Sequence, residues 1–260
     1  MSAVAARSRW AERGAGVATL VLLIALLEVA VRAGAVNAAL VPPPSVIAAK
    51  LVTLLGAGNF ALPLAQTLRL LAIAYTIGCA LGLGLGLLMG RYGWIHDLFE
   101  PLVEVLRPLP KPALLPPLIL FLGLGDAMKL TVIALGVFFP VLINTVQGVR
   151  GTEPVLVDAA RTFGHGRVGQ MFKVTLPSAL PLVFAGMRVS LGLGLVLVVI
   201  AEMMAGTGGV GFLIIDMQRS FRIPEMYAWI VILAVLGYAL NEAFVQLERW
   251  LLHWSFTTTD

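Results

Sequence analysis

Side chains able to do chemistry are few in this 260-residue chain, and they lie far apart. His96, His165 and His253 are its only histidines, all in or near loops, which argues against a histidine metal site. No Gly-x-x-x-x-Gly-Lys-Ser/Thr sequence is present, so there is no P-loop to cradle the phosphates of ATP. Neither His-Glu-x-x-His nor Gly-x-Ser-x-Gly occurs, and no catalytic residue and no metal ligand set are expected. An ion-driven carrier would bury several ionisable groups within its apolar runs, and those runs are nearly free of them. The pattern is that of a path with no energy source of its own.

The densest polar stretch is 152–177, TEPVLVDAARTFGHGRVGQMFKVTLP. Thr152 is suited to N-cap a helix with Glu153 and Pro154 in its first turn, and Gly164 is placed to end it. On that helix Val155, Leu156, Ala159, Ala160 and Phe163 share one face, with Glu153, Asp158, Arg161 and Thr162 largely on the other. A short amphipathic helix kept thin by two alanines either docks into a groove on a partner or lies on a lipid surface, and periodicity leaves both open.

The elements around this island must be membrane spans. The chain is 59% hydrophobic and 12% charged, and about 20 apolar residues cross a bilayer as a helix, so one all-α polytopic domain of about six transmembrane helices over residues 1–260 is expected. The spans read as about 14–32, 68–90, 98–122, 127–147, 179–201 and 224–247. The first run is either a signal peptide or a retained span; its length, Glu28 and Arg32 favour retention, with those two side chains paired at the interface. Ser45 is read as the N-cap of a short surface helix after Pro42-Pro43-Pro44. The net charge of +4 belongs to residues flanking spans, so nucleic acid is not an expected partner. Cys79 reads as a small packing residue.

Small residues at four-residue spacing mark bare helix faces. Gly78, Gly82, Gly86 and Gly90 make one on the second span, predicted to be central, and Gly186, Ser190 and Gly194 make another on the fifth, its predicted partner. Pro108, Pro110, Pro112, Pro116 and Pro117 rule out a straight helix through the third span. Broken helices within a membrane line cavities or pack on protein, so this is the first candidate for a translocation path, with Arg107, Pro110 and Lys111 at the break. Both cations fit equally a place at the interface. Asn144 serves either as interhelical glue or as a path residue, and Arg188 within the fifth span and Glu202 at its end complete the path candidates.

With the amino terminus inside, inner segments carry nine basic residues (Arg7, Arg9, Arg13, Arg91, Arg150, Arg161, Arg167, Lys173, Arg249) and outer ones five (Arg32, Lys50, Lys129, Arg219, Arg222). The bias supports a cytoplasmic amino terminus and a cytoplasmic polar island.

Asp158-Ala159-Ala160, then Gly164 after three residues, then Val174-Thr175-Leu176-Pro177 after nine more, resembles the EAA loop of permease subunits from binding-protein-dependent ABC importers. In that loop Glu-Ala-Ala is followed by glycine and later by Ile-x-Leu-Pro; this chain has Asp158 where the family has Glu. VPPPSVI, TLRLL, LRPLPKPALLPPLILFLGLGD, FFPVLINTVQGVR, ALPLVFAGMRVSLG and AEM are similar to the nitrate, sulfonate and taurine branch. The resemblance implies a type I importer permease fold in a bacterial inner membrane, with two copies forming the path as a homodimer. It further implies that 152–177 acts as a coupling loop, with Glu153, Asp158, Ala159, Ala160, Phe163, Gly164, Leu176 and Pro177 meeting one of two cytoplasmic ATPase subunits. ATP and Mg would sit on that partner, this chain would hold no cofactor, and an extracytoplasmic binding protein would deliver solute. The implied cargo is nitrate, taurine or an alkanesulfonate, with a pyrimidine precursor or an aromatic acid as alternatives. An ion-driven secondary transporter, the rival from another class, should show inverted repeats and mid-span charges, and neither is evident.

Overall fold

The computed structural model describes residues 2–58 and 60–254, without the side chains of residues 2–15 and 17. Arg7, Arg9 and Arg13, counted above for orientation, fall outside the described side chains. Among the described residues the chain is helical and has no strand: α1 (Ser2–Arg32), α2 (Pro44–Gly56), α3 (Ala61–Arg91), α4 (Gly93–Leu106), α5 (Leu115–Leu122), α6 (Asp126–Arg150), α7 (Pro154–Thr162), α8 (Arg167–Gln170), α9 (Leu176–Ala205), α10 (Val210–Arg219) and α11 (Ile223–Leu251). A 3₁₀ turn, Lys111–Leu114, leads into α5, and a π-helical turn, Met171–Thr175, joins α8 to α9. Four described helices are long and apolar enough to cross a membrane: α3, α6, the 39-residue run Arg167–Ala205, and α11. The prolines break the remaining candidate as the sequence requires, for α4 and the segment Lys111–Leu122 meet at 90°.

The chain divides into two compact units, one of Met1–Ala61 with Leu213–Ile232 and the other of Leu62–Phe212 with Leu233–Asp260. In the first, Glu28 and Arg32 pair one turn apart on α1, Nε to Oε1 2.6 Å. Ser45 is not the N-cap of α2, since the helix begins at Pro44 and Pro43 holds the cap position. Ser45 instead turns its backbone N–H (3.0 Å) and hydroxyl (2.7 Å) to the Glu28 carboxylate, which supplies from α1 the acceptor that a proline cap cannot. Lys50 on α2 meets Glu225 at the start of α11, 3.2 Å apart.

The second unit is built on α6, the most buried of the spans, and not on α3. The four α3 glycines of the stripe, Gly78, Gly82, Gly86 and Gly90, all face α6. A Cβ on Gly78 would lie 2.7 Å from the Ala134 carbonyl, one on Gly82 2.8 Å from that of Phe138, and ones on Gly86 and Gly90 2.6 Å from Thr145 and Val149 Cβ. The predicted partner α9 also packs on α6, where a Cβ on Gly186 would lie 2.7 Å from Asn144 Cβ. Gly194 faces Leu71 of α3 as well as Val137 of α6. Ser190 is buried and donates to the Met187 carbonyl (2.8 Å). Leu71, Ala74, Val132, Ile133, Val137 and Val198 form the core between the three helices.

Candidate functional site

The polar island folds as a nine-residue helix, α7, but its start differs from the sequence reading. Glu153 is the N-cap and Pro154 the first helical residue, where a missing N–H costs nothing; Thr152 instead donates to the Gly148 carbonyl at 3.4 Å. The end is as expected. Gly164 lies just beyond the C-cap Phe163 with φ +79°, its N–H bonded to Arg161 O and that of His165 to Ala160 O, each at 3.0 Å. This pair of bonds is the Schellman arrangement, and its left-handed residue costs a Cβ-bearing side chain about 1–2 kcal/mol.

The apolar residues of α7 do not share the inward face. Ala160 is the one that turns in, at 5% exposure, while Val155 and Phe163 stand out at 75% and 82%. Leu156 and Ala159 are exposed with them, and Asp158 and Arg161 form an exposed pair at 3.5 Å. α7 thus presents an apolar ridge with no cover among the described residues. Leu176 and Pro177 are half-buried at the start of α9, whereas Glu153, Asp158 and Phe163 are exposed. Gln170 fastens the turn after α7 by donating from Nε2 to the His165 carbonyl at 2.8 Å.

A cavity of about 510 Å³ opens where the broken span meets α6 and α9. Arg107, Lys111 and Asn144 line it, as do apolar residues that the sequence reading missed, among them Gly136, Phe139, Val189 and Leu193. Their signal was the Gly136–Pro140 pair one turn apart: Pro140 has no N–H to give the Gly136 carbonyl, and both residues face the cavity. Asn144 Nδ2 donates to the Pro140 carbonyl at 2.8 Å, a bond within α6 and not between helices. Lys111 uses its ammonium on the frayed end of α4, donating to the carbonyls of Leu106 (2.8 Å), Leu109 (3.0 Å) and Arg107 (3.1 Å), and it lies 4.4 Å from the Phe139 ring centroid. Its three donors are therefore committed.

Three other path candidates lie off this cavity. Pro110 caps the 3₁₀ turn, and Arg188 donates from Nε to Asn241 Oδ1 at 3.2 Å. Glu202 is fully buried beneath the glycine-rich loop after α9. Its carboxylate accepts from the Thr67 hydroxyl (2.9 and 3.0 Å) and the Gly211 N–H (2.9 Å), while Val210 N–H donates back to Thr67 Oγ1 at 2.9 Å. His96, Asp97 and Glu100 bring ligand atoms within 4.8 Å of one another, but both carboxylates are exposed on consecutive turns of α4.

Known proteins resemble this chain in sequence and in fold. Residues 82–251 match the family described as "Binding-protein-dependent transport system inner membrane component". The chain is 36% identical over 90% of its length to the putative aliphatic sulfonates transport permease protein SsuC of Bacillus subtilis, covering 84% of that protein. It is 28% identical to the taurine transport system permease protein TauC of Escherichia coli, over 92% of this chain and 88% of that one. It is also 28% identical to the nitrate import permease protein NrtB of Synechocystis, over 70% and 66%. Among solved structures, a chain from the crystal structure of an amino acid ABC transporter superposes with a TM-score of 0.62 at 21% identity, over 78% of this chain and 97% of that one. A chain from the inward-facing MetNI methionine ABC transporter gives 0.60 at 21%, over 70% and 91%. A multi-pass helical bundle, with ATP chemistry left to a separate subunit, is what these relatives have in common with the chain, and it belongs to the family of inner-membrane permease components of binding-protein-dependent ABC importers.

Proposed function

We propose that two copies of this chain form the path by which a small oxyanion, a sulfonate such as taurine or an anion such as nitrate, crosses the bacterial inner membrane. A binding protein delivers the solute from outside. Two cytoplasmic ATPase subunits, holding ATP and its Mg, drive the two copies between inward and outward states, and this chain holds no cofactor. The amino terminus lies in the cytoplasm, with α7 on the same side.

The charge of the cavity carries the choice of an anion. Arg107 and Lys111 line it, and no carboxylate does among the described residues. Because Lys111 is committed to the end of α4, Arg107 is the cation left to meet cargo, and a guanidinium suits the flat or forked oxygens of nitrate and sulfonate. The printed functions of the sulfonate, taurine and nitrate relatives point to the same class. The exposed ridge of Val155, Leu156 and Phe163 supports α7 as the element that enters the ATPase.

The test is uptake of labelled taurine and nitrate into liposomes holding the chain, its ATPase and its binding protein. Accumulation should require ATP. Arg107→Gln should lower it about tenfold or more, the worth of a charge-assisted hydrogen bond, while ATPase co-purification is unchanged. Uptake driven by an ion gradient through this chain alone would overturn the importer reading. Full anion uptake by Arg107→Gln would remove Arg107 from the path.

A further inference from the structure

At the Arg91 end of α3 a groove of about 420 Å³ opens between that helix and the segment following α7. Leu87, Leu88, Met171 and Phe172 wall it, and Arg91 and Arg167 stand in it together. No lining side chain is acidic, and among the described residues neither guanidinium pairs with a carboxylate. Gly84 also lines the groove, and a Cβ added there would meet nothing within 4 Å, so the groove is open where the helix is bare.

Three features define what fits. Arg91 is the last residue of a membrane-spanning helix, and exposed Tyr92 and Trp94 follow it, the aromatic types that sit at headgroup depth. From Arg91 the groove runs back to Gly84, seven residues or about 10 Å toward the membrane interior at the helical rise. A soluble partner has no reason to follow an apolar floor in that direction, whereas an acyl chain does. Two guanidiniums at the mouth, neither with a carboxylate partner among the described residues and that of Arg91 5.9 Å from the Tyr92 ring centroid, match a phosphate and repel the cationic end of a zwitterionic headgroup.

We propose that this groove binds one anionic phospholipid, its phosphate held between Arg91 and Arg167 and an acyl chain laid along Gly84, Leu87 and Leu88. The site lies against α8, so a bound lipid would brace the segment that connects α7 to α9.

Native mass spectrometry of the full chain in mild detergent, with phosphatidylglycerol or phosphatidylcholine added at equal concentration, tests this. One phosphatidylglycerol should be retained in preference to phosphatidylcholine. That preference should fall about fivefold for each of Arg91→Gln and Arg167→Gln, and Arg91→Lys should keep most of it. Gly84→Phe should lower retention of both lipids without changing helix content or the unfolding midpoint, because it fills open space. Equal retention of the two lipids by the unaltered chain, an undiminished preference in the double glutamine variant, or unchanged retention in Gly84→Phe would each overturn the proposal. So would a double variant that keeps phosphatidylglycerol but loses the ATPase, which would assign the groove to that partner.

Discussion

Glu202 shows how far a single residue can be read. A carboxylate at the end of an apolar run is a usual mark of a transport path, and the sequence alone places Glu202 among such candidates. In the fold it is fully buried and holds the glycine-rich loop to α3 through Thr67, a residue 135 positions away. The loop's glycines were legible; what they close over was not, because hydrogen bonds between distant segments leave no local spacing. Gly209 closes tightly, with φ +93° and its open side against the Glu202 carboxylate. Thr67→Val should cost about 3 kcal/mol, since it removes a donor from a buried carboxylate and the acceptor of the Val210 N–H together. Thr67→Ser should recover most of that. The reading is the unfolding midpoint in detergent, and a Thr67→Val variant as stable as the unaltered chain would mean that the loop is held elsewhere.

At the scale of elements, stripes of small residues announced close packing and left the partner open. The glycines of α3 and the small residues of α9 were read as facing each other, yet α6 lies between most of them. A stripe states that a face is bare; which helix fills it is set by the tertiary arrangement, which local spacing does not encode. α6 was harder to recognise as the centre because its contact residues are bulky: Val137, Val141 and Thr145 fill the hollows that α3 leaves. The broken span was legible in outline, since the prolines forbid a straight helix, while the 90° turn and the cavity beside it needed the fold. Gly82 and Gly84 separate the two kinds of glycine on one helix. Gly82→Leu must push α3 away from the Phe138 carbonyl and Val141, a repacking worth about 1–3 kcal/mol, whereas a Cβ at Gly84 meets nothing within 4 Å and opens into the groove. The unfolding midpoint should drop for Gly82→Leu and stay near that of the unaltered chain for Gly84→Leu. Equal loss in both would remove the asymmetry on which the α3–α6 seam rests.

For the molecule as a transporter, the proposed coupling role requires that force applied at α7 reach the cavity. Within the second unit the route is continuous. Ala160 seats α7, Gln170 ties the turn after it, and the 39-residue run Arg167–Ala205 carries on through the π-helical turn into α9. α9 in turn supplies Val189 and Leu193 to the cavity wall. A π turn is a weak point in a helix, so Met171–Thr175 is where such a lever would bend. Coupling of this kind needs α7 both to bind its partner and to pass on its motion, and two substitutions separate these roles. Asp158→Lys reverses a charge on the exposed side of α7 and should weaken co-purification of the ATPase, leaving the solute moved per ATP unchanged in the complexes that form. Gly164→Val leaves that surface alone but denies the helix its left-handed end, so α7 loses its fixed angle to α8. The ATPase should still bind and hydrolyse ATP, while solute accumulated per ATP falls about tenfold, the equivalent of the 1–2 kcal/mol by which the left-handed turn is disfavoured. Wild-type transport per ATP in Gly164→Val would mean that the angle at the end of α7 is not what the ATPase turns.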